Sequence, residues 1–143
     1  MRRSLTRGTL PWMMLALGTA AACGSVTEAR PLQDFQWIAV DNPNDVHEGI
    51  DAAVFAGDID LLGQISTPTL CFNLAADYGR SGSDLTVHVT AKSTNSSNCT
   101  KTPGGFQYTA LLRGLGRGSY TLHVIHTVSG GAETSYSKAL EIQ

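Results

Sequence analysis

Apolar and polar residues alternate one for one along much of this chain, and that period of two restricts the fold more than any other feature. Leu70, Phe72, Leu74 and Ala76 form one such row, and Leu85, Val87, Val89 and Ala91 another. Phe106, Tyr108, Ala110 and Leu112 form a third, and Tyr120, Leu122, Val124 and His126 a fourth. Successive side chains of a strand point to opposite faces, so each row is the buried face of a half-exposed β-strand. Phe35–Val40, a bent strand over Val54–Ile65 and Ser135–Ile142 are further strand candidates. Clusters of turn formers separate them at Asp41–Asp45, Ser66–Thr69, Asp77–Ser83 and Ser129–Ala132. A polar loop from Ser93 to Gly105 holds Cys99, and no amphipathic helix is legible after residue 23. The expected fold is therefore all-β: an antiparallel sandwich of about seven strands occupying residues 34–143.

The N-terminus is of a different kind. Arg2, Arg3 and Arg7 precede an apolar run from Leu10 to about Gly18, and Thr19-Ala20-Ala21-Ala22 leads to Cys23. A basic start, a short apolar stretch and small residues before a cut site describe an export signal over residues 1–22. The run is shorter than the roughly 20 residues that a membrane-spanning helix needs. The segment resembles the signal of bacterial lipoproteins, in which the cysteine after the small residues is lipidated and becomes the new N-terminus. That resemblance implies a lipid on Cys23 and a polar tether over residues 23–33. Ala20-Ala21-Ala22 equally satisfies ordinary signal cleavage at the same bond, which leaves Cys23 as a terminal thiol.

Cysteine number and charge follow from this. Three cysteines are present, and an odd count in an exported chain requires an explanation. Lipidation of Cys23 removes the odd one and leaves Cys71 and Cys99, which an oxidising compartment joins as a structural disulfide. Cys71 alternates with Leu70 and Phe72, so the bridge is expected to face away from the core and to pin the Ser93–Gly105 loop. Loss of Arg2, Arg3 and Arg7 leaves seven basic residues against twelve acidic ones, a net charge of −5. Such a balance does not favour nucleic acid, which calls for a basic patch, and no nucleic-acid partner is expected.

One stretch carries a more specific likeness. Leu115-Gly116-Arg117-Gly118-Ser119-Tyr120, followed by the alternating Thr121-Leu122-His123-Val124, resembles the tyrosine corner of immunoglobulin-like and fibronectin type III-like domains. The resemblance implies an immunoglobulin-like sandwich and a hydrogen bond from the Tyr120 hydroxyl back to the corner's backbone. Signal, paired cysteines and C-terminal pattern together are similar to those of small bacterial lipoproteins. That implies a location and a fold, and no activity.

Tests for chemistry return little. His123 and His126 point to opposite faces of one strand, while His88 and His123 share an outer face with no carboxylates expected nearby, so no metal site is expected. Asp41, Asn44, Asp45, Glu48 and Asp51 are rich in oxygen but lack a calcium-loop pattern. Gly79-Arg80-Ser81-Gly82-Ser83 approaches a nucleophile elbow, yet it departs at Ser83 and lies between strands. No cofactor is expected, and no enzymatic role. The reading is a lipid-anchored β-sandwich facing the periplasm or cell surface, held to the membrane through Cys23, that binds another envelope protein. A glycan-binding module using Trp37, Tyr78 or Tyr136 is the alternative, followed by a small hydrolase or a protease inhibitor.

Overall fold

The computed structural model describes residues 27–131 and 133–143; the expected signal segment and Cys23 lie outside the described residues. Among the described residues, nine strands form two packed sheets. They are β1 (Thr27–Pro31), β2 (Phe35–Val40), β3 (Gly49–Phe55), β4 (Asp58–Thr67) and β5 (Phe72–Ser81), then β6 (Asp84–Ser93), β7 (Gly104–Leu112), β8 (Gly118–Val128) and β9 (Glu133–Ile142). One sheet has the order β1-β5-β6-β8-β9 and the other β2-β7-β4-β3. A single 3-10 turn, Pro43–Asp45, is the only helical element among the described residues, and none of their helices is long and apolar enough to cross a membrane.

The sandwich and its alternation are as expected; the strand count is higher for two local reasons, and one strand is longer than expected. Residues 27–31, expected within the tether, form an edge strand paired with β5. Val54–Ile65, expected as one bent strand, is a hairpin. Ala56 and Gly57 both take positive φ, 51° and 87°, and so reverse the chain in two residues between β3 and β4. A strand running from Gly49 into Phe55 is thereby folded back onto its successor. Asp77–Ser81, expected as a flexible connection, continues β5, which pairs with β6 in unbroken register as far as Ser81 and Asp84.

Pairing is antiparallel throughout the described sheets except between β6 and β8, which run parallel from Asp84↔Thr121 to Ala91↔Val128. After β6 the chain crosses to the other sheet as β7 and returns as β8, and two crossings restore the original direction. Such a parallel pair needs a long connection, which β7 and its flanking loops supply. β6 thus becomes the centre of the five-stranded sheet, and its inward residues Leu85, Val87, Val89 and Ala91 are all fully buried. They pack with Leu122 and Val124 of β8 against Ile59, Leu61 and Ile65 of β4 and Phe106, Tyr108 and Leu112 of β7. Burying each large aliphatic side chain contributes about 1.5–3 kcal/mol, so this layer is the main source of stability.

Two polar devices cross that core or close its end. Tyr108 and the fully buried His126 face one another from opposite sheets, with Tyr108 Oη 2.6 Å from His126 Nε2. The hydroxyl donates to Nε2, because the reverse arrangement would leave the buried tyrosine proton without an acceptor. His126 Nδ1 is the one buried side-chain polar atom without a partner among the described residues. At the end of the sandwich, the Tyr120 hydroxyl donates to the Gly116 carbonyl at 2.9 Å. The Arg80 guanidinium lies 5.3 Å from the centre of the same ring.

Candidate functional site

The inner faces of both sheets are filled, so any recognition surface lies on an outer face or an edge. The outer face of the four-stranded sheet is the more open. Alternation sends the odd residues of β7 and the even residues of β4 outward, and the pairing registers align them in rows. Gln36, Thr109, Leu62 and Asp51 form one row across the four strands. Ile38, Gln107, Gln64 and Gly49 form the next. On the other side, Leu111, Asp60 and Ala53 stand in line, with Asp34 beyond Leu111 at the start of β2. The first and third of these rows line a groove of about 560 Å³, which runs between Asp34 and Arg113 at one end and Asp51 at the other, and the Ile38 row lies beside it.

The electrostatics of the groove are acidic and only partly compensated. Arg113 Nε approaches Asp34 Oδ2 at 3.4 Å at the rim. Lys138 Nζ of β9 donates to Asp51 Oδ1 at 2.6 Å, and the Ala52 N–H donates to the same oxygen at 2.8 Å. The Lys138 hydrogen bond, then the Ala52 N–H and the lysine charge, hold the Asp51 carboxyl below its ordinary range. Asp60, mid-face between Leu111 and Ala53, forms no ion pair among the described residues. Beside these acids stand exposed apolar side chains: Ile38 is 63% exposed, Leu62 41% and Phe55, at the β3 end, 74%. Amides, carboxylates and aliphatic groups on a shallow surface suit recognition of another macromolecule's surface.

The residues singled out by sequence are placed elsewhere. Cys71 and Cys99 are joined, with their Cα atoms 5.1 Å apart. The expectation that Cys71 occupies an outer strand face is corrected: β5 begins at Phe72, so strand parity does not govern Cys71, which is buried beneath the loop. The loop is fastened as expected. Leu70 N–H donates to the Thr100 carbonyl at 3.0 Å and Thr94 N–H to the Cys71 carbonyl at 2.8 Å, on either side of the bridge. His88 and His123 do lie on adjacent strands, but His123 is opposite Thr86 and its Nε2 is 3.6 Å from Asp84 Oδ1. A carboxylate is therefore at hand, contrary to expectation. No cluster of three metal-ligating residues forms among the described residues, however.

The aromatic candidates do not converge. The Trp37 ring packs edge-on against Phe106 at 5.3 Å between centroids, on the inner side of β2. Tyr78 is half-buried against the core, and Tyr136 packs edge-on against His126, with 5.0 Å between ring centroids. The Gly79–Ser83 stretch is the end of β5 and the hairpin turn, with no helix after it. Sequence reasoning missed the groove because its members are scattered over four strands and become neighbours only through register. A legible signal existed in the polar residues Gln107 and Thr109, which must share the outward face of β7 once Phe106 and Tyr108 are placed inside. Comparison of the chain with family models, curated proteins and solved structures found no match.

Proposed function

We propose that this protein is a lipid-anchored component of the bacterial cell envelope, tethered through Cys23, whose sandwich domain is a non-enzymatic docking module for another envelope protein. The observation that carries the reading is the open outer face of the β2-β7-β4-β3 sheet. Exposed Ile38 and Leu62 stand there beside acids and amides, in an arrangement common to protein-binding surfaces. The Cys71–Cys99 bridge supports an oxidising compartment, and the basic, apolar, small-residue order of residues 1–22 supports export. A glycan-binding role has less support, since Trp37, Tyr78 and Tyr136 are engaged in packing away from the groove.

Two experiments test the two halves. Detergent-phase partitioning of the full chain should place it in the detergent phase and Cys23→Ala in the aqueous phase; both forms aqueous would end the anchoring proposal. A photo-cross-linking residue at Thr109, in the middle of the groove, should capture one discrete envelope protein, and the same residue at His88 on the opposite sheet should not. Equal labelling from both positions removes the groove as the docking face.

A further inference from the structure

Four strands bound the two sheets: β1 and β9 in one, β2 and β3 in the other. An open strand edge is a template for another strand, and proteins blunt it with charge, proline, a bulge or a cover. Three of these edges are blunted. β1 carries Glu28, Arg30 and Pro31, and its register with β5 shifts between Thr27 and Arg30. β3 and β9 run alongside each other at one flank, where Lys138, on an inward position of β9, bonds Asp51 of β3.

β2 is the least protected: it carries no charge, proline or bulge, and its approach to the opposite sheet, at β5, is slighter than that of β3 to β9. Phe35-Gln36-Trp37-Ile38-Ala39-Val40 contains no charge, proline or glycine, and it pairs with β7 in unbroken register. Along its other side, no backbone group among the described residues bonds to it. Trp37 and Ile38 remain 37% and 63% exposed there. Short uncharged segments of high β-propensity are those that accept a further strand most readily.

We infer that β2 is the edge to which the docking partner adds a strand: an extended, alternating apolar segment of about six residues with a basic residue at each end. The inference rests on the docking role proposed above and names the chemistry of the partner. A strand laid beside β2 runs for about 20 Å, bracketed by exposed Asp34 before the strand and exposed Asp41 after it. Arg113 engages only Oδ2 of Asp34 among the described residues. Lysine or arginine at both ends of the incoming strand therefore meets a carboxylate in either direction. Its side chains on one face extend the groove beside Gln36 and Ile38, and those on the other cover the open flank of Trp37 beside Ala39. The same carboxylates disfavour a second copy of this chain: antiparallel β2 strands set Asp34 against Asp41, and parallel ones set each acid against itself.

The test uses the full chain and the peptide Lys-Lys-Val-Thr-Val-Thr-Val-Thr-Lys-Lys, with hydrogen exchange of the Phe35–Val40 amides as the readout. At a peptide concentration about ten times the dissociation constant, the free-edge amides should slow about tenfold. A counterpart flanked by glutamates should leave them unchanged. Ile38→Lys, at an exposed position, should abolish the slowing without shifting the melting temperature. No slowing in the parent chain, or equal slowing in β1, β3 and β9, overturns the inference. Slowing that instead rises with the concentration of the chain alone makes the occupant a second copy, and that also overturns it. A partner cross-linked through Thr109 with a yield unaffected by Ile38→Lys removes strand addition and leaves the docking role standing. Absence of any cross-linked partner removes the docking role itself.

Discussion

Tyr108 and His126 join the two sheets through one buried hydrogen bond of 2.6 Å. Burial lowers the His126 imidazole from 6.5 to about 4 and raises the Tyr108 hydroxyl above its ordinary value. The pair is neutral at pH 7, and the histidine can accept from the tyrosine only while it stays so.

A pH dependence follows. Below pH 6.5 the unfolded chain takes up a proton on His126, whereas the folded chain does so only near pH 4. Stability from this group is complete above about 6.5, falls as the pH drops towards 4, and levels off below. The loss amounts to about 3 kcal/mol across that window. Denaturant titrations at several pH values should show this slope. Replacing both residues, Tyr108→Phe with His126→Phe, should remove it and leave only the carboxylate contribution at lower pH. Tyr108→Phe alone strands a buried imidazole and should cost about 1–3 kcal/mol at pH 7.

Gly63 provides the space that Tyr108 fills. A Cβ at Gly63 would run into the Tyr108 ring around its Cζ and Oη. Gly63→Ala should therefore destabilise by about 1–3 kcal/mol through overpacking. The same substitution should cost clearly less in a Tyr108→Leu background. Equal costs in the two backgrounds, measured by urea denaturation, would refute the steric account.

The corner bond from Tyr120 to Gly116 is separable from the burial of its ring. Tyr120→Phe keeps the ring in the core and beneath Arg80 and loses only the hydroxyl. A decrease of about 0.5–1.5 kcal/mol is expected in chemical denaturation. Tyr120→Ala should cost about 3–5 kcal/mol, since it also empties the site.

The Cys71–Cys99 bridge closes a loop across a sequence separation of 28 residues. On a chain-entropy argument, its removal by Cys71→Ser with Cys99→Ser should destabilise the fold by about 3–4 kcal/mol. Amide exchange should rise most in residues 94–103, because Leu70 and Thr94 alone would then hold the loop through their backbone bonds.

The alternation of Leu85, Val87, Val89 and Ala91, and of Phe106, Tyr108, Ala110 and Leu112, was enough to place these side chains inside and to make the chain all-β. The mechanism is local: each residue in a strand reverses its side, so burial is written directly into neighbouring positions. The identity of Cys71 and Cys99 as partners was legible as a count of cysteines, being the pair left once Cys23 is set apart with the N-terminal segment. The hairpin at Ala56-Gly57 was not, since a left-handed alanine is held there by the pairing of β3 with β4 rather than by its own preference. Nor was the parallel pairing of β6 with β8, which depends on where β7 lies. The groove on the outer face and the bare edge of β2 belong to the same class. Each is a matter of which strands become neighbours and which strand is left last in its sheet, and non-local pairing decides that after the local pattern has been spent.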